Sequence, residues 1–103
     1  MDFTGLTYRF RTQDTKASRA RKLNKLLATP LPAADYFREV PQTPMQWQLM
    51  LNAAVRDLVA DGYDFDGQPL LDGGPLVFRT RDSGPARTRK LNVLSAVVDA
   101  GNA

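Results

Sequence analysis

The sequence contains no cysteine and no histidine among its 103 residues. These absences exclude disulfides, thiolate nucleophiles, the common zinc sites and the usual general base near neutral pH. We therefore expect no enzymatic activity, no cofactor and no metal site. No apolar run approaches the roughly 20 residues that cross a bilayer, and no basic segment leads into an apolar one at the start of the chain. We accordingly predict a cytoplasmic protein with no membrane contact.

The chain is typical of one soluble globular domain, because 43% of its residues are apolar and 24% are charged. Its net charge of +3 hides a strong segregation. Residues 1–29 carry a net charge of +5, residues 30–74 a net charge of −5 and residues 75–103 a net charge of +3. Such asymmetry is typical of proteins that bind nucleic acid or an acidic partner, although the two signs can also pair within one molecule.

An internal repeat explains this distribution. Residues 10–28 and 78–96 align without a gap and are identical at eleven of nineteen positions. The alignment divides the single predicted domain, residues 1–103, into a repeat unit at 6–29, an acidic insert at 30–74 and a second repeat unit at 75–101. One unit is too small to bury its own apolar face, so we expect the two copies to pack together, or through the helix that contains Trp47, with pseudo-two-fold character.

Each repeat unit is predicted to be a strand followed by a helix. Apolar and polar residues alternate at the start of both units, which indicates a strand with one buried face. Asp14 and Asp82 are the expected N-caps of the helices that follow. The apolar strand positions are Leu6, Tyr8 and Phe10 in the first copy and Leu76 and Phe78 in the second. The predicted fold class is therefore α+β, with a small sheet and helices on one face.

Four helices are expected. The first runs to about Thr29, and the last runs from about Pro85 to Ala100. The insert contains a short helix over residues 33–40 and a long one that begins after an N-cap at Thr43 and ends at Gly62. A hairpin is predicted over residues 63–71, with its tight turn at residues 66–67.

The candidate binding surface consists of basic residues that the predicted elements present on their non-core faces. Arginine and lysine on rigid elements suit phosphate oxygens. Alternatively, the same charges could only solubilise the surface or pair with the acidic insert. The candidates are Arg9, Arg11, Arg21, Lys22, Lys25, Arg79, Arg81, Arg89 and Lys90.

Two further pairs of positions are ambiguous. Asn24 and Asn92 could read a base edge, but a bond to the backbone between the copies is the better explanation. Val93 and Val97 replace the outward Lys25 and Thr29 of the first copy, so the last helix is apolar on two sides. It either lies deeper in the domain or offers these valines to another chain.

Two functional hypotheses follow. The first is a small basic nucleic-acid-binding protein, of the kind found among phage or plasmid regulators, that uses the duplicated Arg/Lys surface. The second is a protein–protein interaction module, such as an inhibitor, an assembly factor or a virion component. It would dock an acidic partner or self-associate through its last helix.

Overall fold

The described chain consists of three helices. A computed structural model describes residues 3–32, 36–65 and 76–102. Its elements are α1 (Lys16–Leu27), α2 (Pro44–Ala60) and α3 (Gly84–Gly101). Within these ranges there is no strand, so the prediction of an α+β fold with a small sheet is wrong. No helix in this part of the chain is long and apolar enough to cross a bilayer.

Side chains, rather than a neighbouring strand, satisfy the backbone of the two alternating segments. Asn92 holds both polar groups of Phe10: its Oδ1 accepts from the amide at 2.8 Å, and its Nδ2 donates to the carbonyl at 3.0 Å. Asn52 holds Phe78 in the same way, at 2.8 and 3.0 Å. The Ser95 hydroxyl donates to the Tyr8 carbonyl at 2.6 Å. A sheet requires a ladder of backbone bonds, and here those backbone groups are already occupied.

Helix α2 begins and ends as predicted. Thr43 is its N-cap and forms a capping box with Gln46, in which each side chain bonds to the other residue's amide at 3.2 Å. Gly62 follows the helix with a φ of +93°, a conformation that favours glycine. The Tyr63 amide then donates to the Leu58 carbonyl at 3.0 Å, as in a Schellman motif.

The N-caps of the other two helices lie one residue later than predicted. Thr15 and Ser83 cap α1 and α3 with their hydroxyls. The carboxylates of Asp14 and Asp82 turn back instead, and each accepts from the amide three residues earlier at 3.0 Å. The amides of the same two residues donate to the carbonyls of those earlier residues at 3.1 Å. Each aspartate therefore closes a reciprocal turn before its helix rather than capping it.

The remaining boundaries differ modestly. Helix α1 ends at Leu27 rather than near residue 29, and α3 is one residue longer at each end than predicted. In the described part of the predicted short helix, residues 36–39 form turns and bends and residue 40 has no regular structure. Residues 66–71 of the predicted hairpin lie outside the described residues.

Helix α3 is the most buried element. Val93 and Val97 are 0% and 3% exposed, so the apolar second side of α3 faces the core. Deeper burial, one of the two alternatives for these valines, is what the structure shows. They present no surface to another chain, because their contacts are already made inside this one.

The three helices run in the same direction, because their N-terminal ends lie together. The Lys16 ammonium, at the start of α1, donates to the carbonyl of residue 42, just before α2, at 3.0 Å. Gln48 in α2 accepts at 2.6 Å from the amide of Thr80, in the turn before α3. A Cβ built on Gly84 at the start of α3 would lie 3.5 Å from the Thr12 methyl, in the turn before α1. We call the surface at these ends the N-terminal face.

The C-terminal ends gather on the opposite side. The Tyr63 hydroxyl, just after α2, donates to the Asn102 side chain after α3 at 2.7 Å. A Cβ on Gly101 would overlap the Tyr63 ring. Residues near the ends of α1 and α3, including Lys25 and Val98, line one shared groove.

Three asparagines close this arrangement into a ring. Asn24, Asn52 and Asn92 each lie nine residues after the N-cap of their own helix. Asn24 donates to the carbonyl of Phe37 at 2.9 Å, while the other two hold Phe78 and Phe10. Each helix thus holds the segment that precedes the next helix, and the third returns to the first. We call these three residues the asparagine clamps.

The insert therefore contributes a third unit of the same kind. Its phenylalanine precedes the N-cap by six residues, whereas Phe10 and Phe78 precede theirs by five. The asparagine bonds link the three units in one cyclic order, which the two-copy repeat does not predict.

Candidate nucleic-acid interface

Seven of the nine predicted surface residues are exposed. Their positions nevertheless differ, because some belong to the turns before the helices and others to the later helical turns. The exposed seven are Arg9, Arg11, Arg21, Lys25, Arg79, Arg81 and Arg89.

Lys22 and Lys90 have a structural role instead. Lys90 is 3% exposed, and its ammonium bonds to both carboxylate oxygens of Asp82 at 3.0 Å and to the Val77 carbonyl at 2.7 Å. Lys22 makes the equivalent bonds, at 2.8 Å each, to the Asp14 carboxylate and the Arg9 carbonyl. The prediction that Lys90 is part of an exposed surface is therefore wrong. Both lysines fasten a pre-helix turn to its helix.

An arginine completes the same network in each copy. Arg19 donates from Nη2 to the main-chain carbonyl of Asp14 at 3.2 Å, and Arg87 donates to that of Asp82 at 3.1 Å. Each turn is thus held by a lysine on its carboxylate and an arginine on its carbonyl. This shared network accounts for the repetition of Asp14, Arg19 and Lys22 as Asp82, Arg87 and Lys90.

The network stabilises the ionised form of Asp14. Burial alone would raise the pKa of this carboxyl, but hydrogen bonds from Lys22 and the Arg11 amide, with the charges of Lys22 and Arg19, outweigh it. The pKa of Asp14 is therefore below its ordinary value of 3.8. A group whose pKa is lower in the folded state stabilises the fold above its unfolded-state pKa.

Acidification is therefore expected to remove the contribution of ionised Asp14 to the free energy of unfolding. We expect wild-type protein to be more stable than Asp14→Asn at about pH 5, and the two to converge as the pH falls towards about 2. The measurement is the free energy of unfolding in urea at a series of pH values. A constant difference across that range would contradict the assignment, since the other carboxyls are common to both proteins.

The N-terminal face combines two sources of positive potential. The turns before α1 and α3 place the exposed side chains of Arg11, Arg79 and Arg81 directly before the N-caps. Each helix N-terminus adds a partial positive charge of about half a unit. Arg21 and Arg89 are exposed two turns further along their helices.

Arg19, near the start of α1, is half-buried beside an indole. The guanidinium carbon of Arg19 lies 5.3 Å from the centre of the Trp47 ring, which itself stacks on Phe37 at 5.7 Å. Burial lowers the pKa of Arg19, and the nearby charge of Arg87 lowers it further, against the opposite effect of Asp14. Burial and the charge of Arg87 therefore both disfavour the ionised form of Arg19.

The opposite end of the molecule has a different character. Lys25 lies there, in the groove with Asp99, so it is separated from the other candidates. Asp61 and Asp64 border a second depression near the end of α3. In the described ranges, no group of three or more acidic residues could hold a metal ion.

The asparagines belong to the scaffold. Asn92 bonds to the backbone of the other repeat copy, which confirms the preferred explanation for it. Asn24 also bonds to backbone, but its partner Phe37 belongs to the insert. Their side-chain bonds are therefore made within the fold rather than to a base edge.

Sequence reasoning missed that Arg19, Arg87 and Trp47 occupy equivalent positions in their helices. All three lie four residues after an N-cap, at Thr15, Ser83 and Thr43 respectively. Aligning the helices at Thr15, Ser83 and Thr43, rather than at the predicted caps Asp14 and Asp82, would have shown the shared position. The two-copy repeat concealed it because the insert has tryptophan where the copies have arginine.

Comparisons of the chain with protein-family models, with curated proteins and with solved structures found no match.

Proposed function

We propose that the protein binds nucleic acid through its N-terminal face, by contacts to the phosphate backbone, as a small phage or plasmid regulator would. The observation that carries the proposal is the gathering of three helix N-termini with the exposed arginines of two matching turns. Helix N-termini and arginine forks are both suited to phosphate oxygens.

The rigidity of the face supports the same proposal. The turns that carry Arg11 and Arg79 are fixed by bonds to Lys22 and Lys90, three of which are part-buried and one exposed. Because the turns are already ordered, little conformational entropy is lost when their side chains contact a phosphate. The buried or partly buried lysines therefore order the turns, and the exposed arginines on those turns are available for phosphate contacts.

The alternative that remains open is an acidic protein surface, which would contact the same charges. Self-association through Val93 and Val97 is not proposed, since both valines are buried. Phosphate contacts release condensed counterions, so nucleic-acid affinity falls steeply and linearly with the logarithm of salt concentration.

The test is affinity for mixed-sequence DNA and RNA duplexes across a salt series, with two double variants. Arg11→Gln with Arg81→Gln removes two exposed charges from the N-terminal face. Lys25→Gln with Arg56→Gln removes two exposed charges elsewhere and matches the change in net charge. We expect the first pair to lower affinity at least about tenfold and the salt slope by about 1–2, and the second to have a much smaller effect.

Two results would contradict the proposal. Absence of duplex binding at about 20 mM salt would exclude nucleic acid and favour the acidic protein partner. Equal weakening by the two double variants would show that binding follows net charge and not the N-terminal face.

A further inference from the structure

Helix α2 exposes apolar side chains where the other two helices expose charge. Leu49 lies six residues after the N-cap Thr43, just as Arg21 and Arg89 lie six residues after the N-caps of α1 and α3. Both arginines are exposed, and Leu49 is 61% exposed. Met45, one helical turn before Leu49, is 53% exposed. We call Met45 and Leu49 the apolar patch.

The apolar patch adjoins an arginine-bearing turn of the N-terminal face. Met45 is the second residue of α2, and helical side chains lean towards the N-terminal end of their helix. The side chain of Gln48 accepts from the Thr80 amide at 2.6 Å, so the first turns of α2 lie against the turn before α3. Leu49 and the exposed Arg81 are each one residue away from this hydrogen bond. Apolar and cationic side chains therefore stand side by side.

An amide donor lies between these two kinds of side chain. The Oε1 atom of Gln48 is held by the Thr80 amide, and its Nε2 makes no hydrogen bond within the described residues. Helix α2 contributes no carboxylate to this end of the molecule, because residues 43–55 contain no charged side chain. The surface thus combines apolar contact, one oriented donor and a neighbouring guanidinium.

This combination matches the minor groove of a nucleic-acid duplex. Every base pair presents hydrogen-bond acceptors there, and phosphates border the groove on both sides. Proteins that bind the minor groove combine arginine or glutamine with apolar side chains, methionine and leucine among them, that enter between base pairs. A purely acidic surface would pair with the arginine but would leave the apolar patch in water.

We propose that the apolar patch inserts between two base pairs from the minor groove and opens one base step of the bound duplex. This contact rests on the proposed function, because it adds a base contact to the phosphate contacts of the same face. Opening a step costs unstacking energy, and burial of Met45 and Leu49 against the bases offsets part of that cost. A base step that is already weakened is therefore bound more tightly than a regular one.

The test compares two DNA duplexes of equal length, one fully matched and one with a single central mismatch. Both are titrated with the full chain at about 50 mM salt, and because they carry the same number of phosphates, counterion release is the same for each. A difference in affinity therefore reports the base step. We expect the mismatched duplex to bind about tenfold more tightly.

Met45→Ala and Val59→Ala form a matched pair of variants, because both side chains are 53% exposed and they lie at opposite ends of α2. Met45→Ala is expected to reduce the preference for the mismatch to less than about threefold, and Val59→Ala to leave it within about twofold of wild type. Leu49→Arg gives the third unit the charge of the other two. It is expected to bind the matched duplex more tightly and to lose the preference, a combination that misfolding cannot produce.

Equal affinity of the wild-type protein for the two duplexes would overturn the base contact. A preference that Met45→Ala or Leu49→Arg leaves unchanged, or that Val59→Ala reduces equally, would also overturn it. None of these results contradicts the proposed function, which the arginine variants test with matched duplexes. Absence of binding to both duplexes at about 20 mM salt would contradict the proposed function and the base contact together, and would favour an acidic protein partner.

Discussion

Asn92→Ala is expected to lower the free energy of unfolding by about 4 kcal/mol, since two buried backbone groups would each lose a partner at about 1–3 kcal/mol. Asn92 is 5% exposed and Phe10 is 2% exposed, so water cannot readily replace the amide. The whole stability of a small domain is about 5–15 kcal/mol. The variant should therefore melt at least about 15 °C below wild type.

The other asparagine clamps provide matched controls. Asn52 makes the same two bonds at a partly buried site, so Asn52→Ala should cost about 2 kcal/mol. Asn24 makes one clamp bond from an exposed position, so its replacement should cost about 1 kcal/mol or less. Urea unfolding of the three variants measures these losses of stability and ranks them. If Asn92→Ala cost no more than Asn24→Ala, the ring of asparagine clamps would not hold the fold together.

Lys90→Met is expected to cost about 3–5 kcal/mol, because it leaves a buried carboxylate without its cation. The side chains of Lys90 and Asp82 are 4% and 9% exposed. The Val77 carbonyl would lose its bond to the same ammonium. Methionine keeps most of the lysine volume, so the loss reports the missing charge rather than a cavity.

Two comparisons isolate the ion pair. Lys22→Met should cost less, about 2 kcal/mol, because the Lys22 side chain is 27% exposed and its ammonium is already partly hydrated in the pair, although the Asp14 carboxylate that remains is 10% exposed. Adding Asp82→Asn to Lys90→Met should recover about 2 kcal/mol by removing the unpaired charge. Equal costs for the two lysine variants, or no recovery in the double variant, would contradict the structural role of Lys90.

The helices could be predicted from the sequence because their signals are local. Thr43, Pro44 and Gly62 mark the ends of α2 by cap chemistry that involves only near neighbours. The caps of α1 and α3 were misplaced by one residue because aspartate and a hydroxyl residue stand side by side, and either can cap a helix. Which of them turns towards the amides depends on the lysine that binds the aspartate.

The absence of strands in the described ranges could not be predicted in the same way. The alternation of apolar and polar residues around Tyr8 and Phe10 indicates that one face of the segment is buried. It does not indicate which groups form hydrogen bonds with the backbone of that segment. The partner of Phe10 is 82 residues away in the sequence. A side-chain amide and a neighbouring strand satisfy the same backbone groups, so the pattern fits both.

The sequence contains a pattern that indicates the third unit. The dipeptide Phe-Arg occurs three times in the chain, at residues 10, 37 and 78, and Leu-Asn occurs three times, at 23, 51 and 91. The structure places the first in each pre-helix segment and the second at each asparagine clamp. The acidic insert hides the relation because it lacks the Asp–Lys–Arg network and has one extra residue before its cap.

The same network explains why only part of the candidate surface was predicted well. Helical projection separates the apolar side from the polar side, but it cannot tell an exposed lysine from one that reaches back to a turn. Lys90 and Arg89 are adjacent in the sequence, yet the first is buried and the second is exposed. The two residues differ in exposure only because the pre-helix turn packs against the side of α3 that carries Lys90.

The most direct test of the N-terminal face is to follow backbone amide chemical shifts of the isotope-labelled protein while a DNA duplex is added at low salt. The largest changes are predicted at residues 11–16 and 79–84, which form the turns and first residues of α1 and α3. Changes concentrated at residues 60–64 and 99–102, at the opposite ends of the helices, would contradict the assignment, as would no change at any residue.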